Sequence, residues 1–486
     1  MKKLLTMLLT VVMAVACCFG LTACGEDEAK ARTIDINDDF AMFAEYVPND
    51  FKIGFIFLHD EKSTYDLNFL NAAKEAVAVM GLKAEQVIYK VNVPEGQECY
   101  DAAKELKEAG CKAIFANSFG HGGFMLQAAK DFTDVQFYHA TGAQASNLPE
   151  GVTNFHNAFA SIYEGRYLGG IAAGMKLNEM VKAQETAKGS PLTEDELKAA
   201  TKMGYVGAYP YAEVKSGYTA FYLGAKSVCP TVTMDVKFTN SWYDEVAEKA
   251  AAEALIADGA KLISQHADSM GAPSACEKAG VPNVSYNGTT IKDCPNTFIV
   301  SSRIDWSIYF KLIISTFAVG EEIEEQVEMF KEMVGKDFCY GLSSGSVKMS
   351  AINADVMAEG TVAALQQAIR KLESAYNYDV ETGNMYSASA GIVFNCANFT
   401  VTLTDAQKAA KVTVDGVEVN QYQVVDGRLV AYYADVIDEG DFKGDTNVIK
   451  LGMIGGEIVT YFDESNATLF RSAPYFDIDI DGITIK

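Results

Sequence analysis

From Phe51 onward, short apolar runs alternate with stretches of helical period, and this alternation constrains the fold more than any other feature of the chain. One set of runs comprises KIGFIFL (52–58), VIYKVNV (87–93), AIFANSF (113–119) and QFYHATG (136–142). A second comprises KMGYVGA (202–208), TVTMDVKF (231–238), LISQHA (262–267) and VPNVSYN (281–287). Between them lie segments such as Asn68 to Met80 and Gln97 to Ala109, whose apolar residues recur at helical spacing. Strands separated by helices form βαβ units, because a parallel neighbour is reached only through a crossover. The expected fold is α/β, with two doubly wound, Rossmann-like lobes: lobe 1 at about 51–160 plus returning segments after 295, and lobe 2 at about 161–295. Neither set carries a dinucleotide-type glycine motif or a Walker lysine. The cluster FGHGG (119–123) is expected to be a turn that lets backbone approach a ligand.

Between the sets, EGRYLGGIAAGMK (164–176) spaces small residues so that a helix can pack closely on its neighbour. Its charged residues exclude a membrane span, and Glu164 and Arg166 are expected to form interlobe or helix-surface pairs. KAQETAKGSPLTEDELK (182–198) reads as a solvent-facing helical excursion. Beyond about Gly391 the period changes from helical to alternating, with hairpin-type dipeptides at Asp415-Gly416, Asp426-Gly427 and Asp481-Gly482. The expectation is an extra C-terminal all-β domain, sandwich-like, over 396–486, leaving 51–395 to the two lobes.

The N-terminal stretch MKKLLTMLLTVVMAVACCFGLTAC joins a basic start to an apolar run and a small-residue cleavage site, the pattern of a signal peptide over residues 1–23. Leu21-Thr22-Ala23-Cys24 resembles a bacterial lipobox, which implies lipid modification at Cys24 and a place on the outer face of the cell membrane. The polar tract over 24–50 is expected to be a flexible tether. The net charge of −25 argues against nucleic-acid binding, which needs basic surface to replace phosphate counterions. Of the ten cysteines, seven remain after Cys17, Cys18 and Cys24, and none forms a CxxC pair or a metal-ligand spacing. No metal and no cofactor are expected.

The segments ANSFGHGGF, DVQFYHATG, IYEGRYLGGIAAG, GYVGAYPYAEVKSGYTAF, FTNSWYD, ISQHADS and DWSIY, in this order, resemble the basic membrane protein family of substrate-binding lipoproteins across roughly 50–375. The resemblance implies a type I periplasmic-binding-protein-like fold that serves an ABC importer, with a purine nucleoside or base held between the lobes and passed to permease subunits.

In open α/β sheets, ligands sit beyond the carboxyl ends of strands at topological switch points. Trp242 and Trp306, the two tryptophans of the chain, can each stack on a planar base. Phe119, past the third strand, is a candidate opposing face. Tyr65, Asp66 and Asn68 follow the first strand as an aromatic and two polar candidates. His266 and Asp268, in ISQHADSMGAP, can offer a donor and an acceptor to a base. Where nucleoside-binding relatives typically carry an aspartate for ribose hydroxyls, this chain has Asn287 and Gly288, which moves weight towards a free base or another planar ligand. His121, His139 and His156 are dispersed and receive no metal role. The expected function is therefore an extracytoplasmic, lipid-anchored solute-binding protein, not an enzyme. Its alternatives are a sensing lipoprotein with the same pocket, a binder of another planar or sugar-like solute, and a hydrolase using His266 and Asp268.

Overall fold

The computed structural model describes residues 40–318 apart from 42 and 143, 337–374, and within the remainder 376–378, 385–387, 389–394, 399–414, 417–420, 422–425, 428–433, 449–454, 457–461 and 479–486. The expected signal peptide and Cys24 lie outside the described residues. Of the expected tether, Phe40 and Phe43 are buried in the first lobe's core beside Phe51. Their two aromatic rings, set among acidic residues, belong to the folded body.

The first sheet is built from β1 (Ile53–Ile56), β2 (Val87–Lys90), β3 (Ala113–Ala116), β4 (Gln136–Ala140) and β5 (Phe155–Ala160), joined by α1 (Thr64–Val79), α2 (Gln97–Glu108) and α3 (Gly122–Asp131). Helices α4 (Tyr163–Lys188) and α5 (Glu194–Ala200) lead into the second sheet. That sheet holds β6 (Lys202–Gly207), β7 (Thr233–Phe238), β8 (Leu262–Gln265), β9 (Asn283–Tyr286) and β10 (Phe298–Ile304), with α6 (Ala212–Val228), α7 (Glu245–Ala257) and α8 (Gly271–Ala279) between them. Helix α9 (Ser307–Ala318) returns to the first lobe, where Trp306 and Phe310 enter its core, and β11 (Asp337–Tyr340) joins the first sheet. Strand β12 (Val347–Met349) joins the second, antiparallel to β10.

The strand orders are β11-β5-β4-β3-β1-β2 and β12-β10-β9-β8-β6-β7, the latter extended by a terminal strand, Ile483–Ile485. The chain thus passes between sheets after β5, β10 and β11. The order reverses at β1/β3 in the first sheet and at β6/β8 in the second. Each switch point opens a crevice at the strands' carboxyl ends.

All four residues of β1 are buried, as expected of a parallel strand covered on both faces. Helices start at side-chain caps: Ser63 accepts from Asp66 N at 3.2 Å, and Asp244 accepts from Val246 N and Ala247 N at 3.1 and 2.9 Å. The small residues of α4 meet α6 at close range. A Cβ on Gly170 would lie 2.0 Å from Phe221 O, and one on Gly224 2.0 Å from Tyr167 O. This contact sets Arg166 of α4 and Glu213 of α6 on either side of His266.

The described ends of the tail expected as an all-β domain over 396–486 pack on the second lobe. Phe399, Leu403, Ile480 and Ile483 are buried in the second lobe's core. Ile483–Ile485 runs parallel to β7, with Ile483 opposite Met234. A two-residue period in IDIDGITI fits an edge strand of the lobe as well as a hairpin, so the pattern alone does not name the sheet. Between these ends the described pairings are antiparallel: Lys411–Val414 with Val417–Asn420, and a four-stranded sheet from Tyr422–Val425 to Glu457–Tyr461. Any facing of two sheets there lies outside the described residues.

Candidate ligand-binding cleft

The carboxyl ends of the two sheets face each other. Thr64 of α1 donates to Asp268 O through its backbone N at 3.0 Å and its Oγ1 at 2.9 Å. Ring contacts also cross the cleft, His59 to Tyr243 at 5.1 Å and Phe119 to Tyr211 at 6.2 Å between centroids.

On the first lobe, Asp66 is buried, and its Oδ1 accepts from His59 N at 3.1 Å and Asn117 Nδ2 at 2.7 Å. Asn117 Oδ1 in turn accepts from Leu58 N at 3.0 Å. Half-buried Tyr65 donates its hydroxyl to Asn117 O at 2.7 Å. Burial first, then the carboxylates of Asp268, Asp66 and Glu213 together with Tyr286, hold that hydroxyl's pKa well above its ordinary value. Asn68 donates to Ile304 O at 2.8 Å and thus grips the second crossover rather than the cleft. In FGHGG, Gly120 N donates to Glu95 Oε1 at 2.9 Å, and a Cβ on Gly122 would lie 2.6 Å from Gln144 Nε2. The close approach at Gly122 is therefore to protein, not to an open crevice.

On the second lobe, half-buried Trp242 packs edge-on to Tyr209 at 5.1 Å and tilts against Tyr211 at 6.0 Å. Its carbonyl accepts from Asp268 N at 2.9 Å. Asp268 is buried, and its Oδ1 accepts from Asn287 Nδ2 at 3.3 Å. Burial, reinforced by Glu248, Asp66 and Glu213, holds the Asp268 carboxyl well above the ordinary aspartate range. Asn287 has φ 63°, a left-handed conformation that asparagine tolerates, and its N donates to Ser302 O at 2.9 Å. The amide expected to meet ribose hydroxyls is thus already committed in part to Asp268.

His266 departs from expectation. Its Nδ1 contacts Arg166 Nη2 at 3.1 Å and its Nε2 contacts Glu213 Oε2 at 3.0 Å, so both ring nitrogens are engaged by protein. Burial, opposed by Glu213 and reinforced by Arg166, lowers its pKa. The ring atoms expected to meet a base directly are thus both held by Arg166 and Glu213 in this structure. Nor does a nucleophile–base pair form. Among the described residues no hydrogen bond joins His266 to Asp268 or Ser269, and Ser269 Oγ accepts from Gly271 N at 3.0 Å.

Trp306 is placed away from Trp242. It is buried in the first lobe's core, stacked on Phe69 at 4.5 Å and 21°. It directly precedes α9, which buries its apolar face against that core, and this draws the ring inward.

Arg166 and Glu213 were not expected at the site. Arg166 is buried, with its guanidinium 3.3 Å from the Tyr286 ring centroid and Nη1 donating to Gln265 O at 2.8 Å. The pairs expected of it at a helix surface or between lobes are instead contacts inside the second lobe. Its signal was an arginine in a helix of small apolar residues, where a charge has to find partners indoors. Glu164 is also buried, and its Oε2 accepts from Leu342 N at 2.7 Å on the third crossover. Glu213 follows β6 as His266 and Asp268 follow β8, so the switch-point rule applied to one strand end applied equally to the other.

Among the described residues, no group of three or more His, Cys, Asp or Glu side chains could hold a metal ion. Cys99, Cys111, Cys229, Cys276 and Cys294 are buried and unpaired. No described helix is long and apolar enough to cross a membrane.

A family model described as ABC transporter substrate-binding protein, PnrA-like, matches residues 56–385. The chain belongs to this Bmp family. It is 33% identical over 270 residues to a purine-binding protein of Brucella abortus, covering 55% of this chain and 69% of the relative. It is also 33% identical over 197 residues to a putative ABC transporter glucose-binding protein of Haloferax volcanii, covering 40% of this chain and 44% of the relative. Among solved structures, an ABC transporter solute-binding protein of Conexibacter woesei aligns with a TM-score of 0.50 at 18% identity, covering 67% of this chain and 96% of that one. This last likeness shows the fold alone. The Bmp family is one of solute-binding proteins, which are not enzymes.

Proposed function

We propose that the protein is an extracytoplasmic solute-binding component of an ABC importer, anchored through lipid at Cys24, which captures a purine base or nucleoside between its lobes and delivers it to permease subunits. The observation that carries this reading is the composition of the cleft. The half-buried aromatic rings of Tyr65, Phe119 and Trp242 lie at the strand ends that also present buried Asp268 and Asn287. Rings of this kind stack on a planar base for about 1–3 kcal/mol each. Buried polar groups reject a mismatched edge by being left unpaired. The Brucella relative is named for purine binding, which supports the same ligand class.

Ligand contacts from both lobes favour the closed arrangement, and closure is the state a permease reads. Asn287 favours a free base over a nucleoside, because an amide lacks the two-oxygen grip of a carboxylate on a diol. The test is a thermal-shift panel of purine bases, nucleosides, pyrimidines, sugars and amino acids. A ligand at 100 times its Kd adds about 2.7 kcal/mol to stability, an easily read rise in Tm. A rise with purines alone is expected. A flat response to all purines with a rise for glucose would replace the reading by the sugar-like solute that the Haloferax relative's name suggests.

A further inference from the structure

We propose that Glu213 is a specificity-determining contact of the cleft, a fixed hydrogen-bond acceptor for an N–H group of the ligand, held in that role by His266 and the buried Arg166 as positioning residues. The proposal rests on the ligand reading above and deepens it, since it states which edge the ligand must present.

The donor inventory fixes the relay. A guanidinium carries only donors. The 3.1 Å contact between Arg166 Nη2 and His266 Nδ1 therefore requires a lone pair on Nδ1. A neutral imidazole with its lone pair on Nδ1 carries its proton on Nε2. That proton points to Glu213 Oε2 at 3.0 Å. A second proton on His266 would set an N–H against the guanidinium, so the arrangement excludes the imidazolium. Arg166 is held in turn by Gln265 O at 2.8 Å and by the Tyr286 ring 3.3 Å away.

Glu213 is the end of this relay that reaches the cleft. Its side chain keeps 22% of its exposure, against 5% for His266. Its Oε1 makes no hydrogen bond among the described residues. It follows β6 at the second sheet's switch point, and its charge is felt by Tyr65 across the cleft as well as by Asp268 and Tyr286 beside it. A carboxylate whose one oxygen accepts from His266 offers the other as an acceptor only. It selects an amino group or a ring N–H, and it repels phosphate. Within the purine class this means an amino- or oxo-purine edge that carries a donor, and it excludes nucleotides.

The experiment titrates adenine, hypoxanthine, inosine and glucose calorimetrically into the protein and its E213Q variant, and reads the His266 ring by 15N NMR. Glutamine is uncharged and replaces one carboxylate oxygen with an NH2 donor, so either His266 Nε2–H or the ligand N–H meets a donor where Glu213 offers an acceptor. Loss of a charge-assisted acceptor weakens purine binding about 10- to 100-fold. The Tm of the unliganded variant is expected to stay unchanged. Equal purine affinity in E213Q and the parent would overturn the Glu213 assignment. If the parent binds no purine, the purine reading fails by itself, and a glucose affinity that E213Q leaves unchanged then overturns the acceptor role too.

The relay has its own readout. The charged and titratable groups packed around His266 are Arg166 from α4, Glu213 from α6 and Tyr286 from β9, with Asp268 in its own loop. The expected spectrum shows the Nε2–H tautomer at pH 7, and an Nδ1–H or doubly protonated ring would sink the relay. In R166M the lone pair is no longer demanded, so ligand affinity falls towards acid, where the parent is flat. R166K, which retains a donor for Nδ1, restores part of that flatness and serves if R166M does not fold.

Discussion

The two walls of the cleft use polar groups in opposite ways. At the first sheet's switch point, Asp66, Asn117 and Leu58 N satisfy one another, and His139 Nε2 meets Ser118 O at 2.7 Å. These groups are locked into backbone and give shape. At the second sheet's switch point ionisable groups gather: buried Arg166, His266, Asp268 and Glu248, with half-buried Glu213, lie on or behind one surface. Such a cluster costs stability on burial and is tolerated where it recognises something. The first wall holds its Asp66 carboxylate with amide donors, whereas the second gathers several ionisable groups, and their stabilities should respond differently to truncation and to pH.

The strongest break in that comparison is a truncation. Among the described residues, the strand Ile483–Ile485 pairs with the second lobe's sheet and not with the first's. Ile480 and Ile483 are buried there, Lys486 N donates to Val236 O at 2.9 Å, and Tyr218 hydrogen-bonds Asp479. Removing 479–486 opens the β7 edge and deletes two buried isoleucines, each worth about 2–5 kcal/mol. Unfolding monitored by hydrogen exchange should show the second lobe losing protection while the first keeps most of its own. Excising 411–478 through a short linker should spare both lobes. Thr402 N donates to Asp481 Oδ1 at 3.0 Å, so the excursion leaves and rejoins the lobe at one place. Equal loss of protection in both lobes on truncation would dissolve the distinction.

A smaller and more selective effect is expected at Glu248 of α7. Its carboxylate accepts from Asp244 N at 3.0 Å and from Ser269 N at 3.1 Å, yet burial pushes its pKa up to about 7. The folded value lies above the unfolded one, so the folded protein binds the extra proton. The stability is fully present below about pH 4.5 and is lost as pH rises through 7. The shift corresponds to roughly 3 kcal/mol. E248Q keeps one oxygen for both N–H groups and removes this titration. Its denaturant-derived stability should therefore decline less than the parent's between pH 4.5 and 8, by about that amount. Asp268 shifts in the same direction and leaves a residual slope in both proteins. Parallel stability–pH curves would show that burial does not hold the Glu248 proton.

The layered architecture was legible in the sequence because its signals are local. Apolar runs, helical period and small residues at the α4–α6 contact each report on their own segment. What escaped was set by partners far apart in the chain. His266 looked free in ISQHADSMGAP, and only the approach of α4 and α6 shows both its nitrogens engaged by Arg166 and Glu213. Trp306 looked equivalent to Trp242, and only the inward packing of α9 separates them. The terminal strand reads as a hairpin element until β7 is seen to lack a neighbour on that side. Alternation reports a face, whereas the sheet it joins is a tertiary fact.

The smallest effect is expected where the two walls meet. Asp268 O accepts from Thr64 N and Thr64 Oγ1 at 3.0 and 2.9 Å, joining the first wall to the second. Thr64→Val keeps the side chain's outline and removes only the hydroxyl. The carbonyl retains its backbone donor, so no acceptor is orphaned and the loss is limited to about 1 kcal/mol. If this bond forms only when the lobes close, the loss falls on ligand affinity, about fivefold, with little change in the unliganded protein's Tm. A fall in unliganded Tm at unchanged affinity would mean that the lobes meet before ligand arrives. The division between the walls would then be one of a rigid body and not of two parts brought together by what they bind.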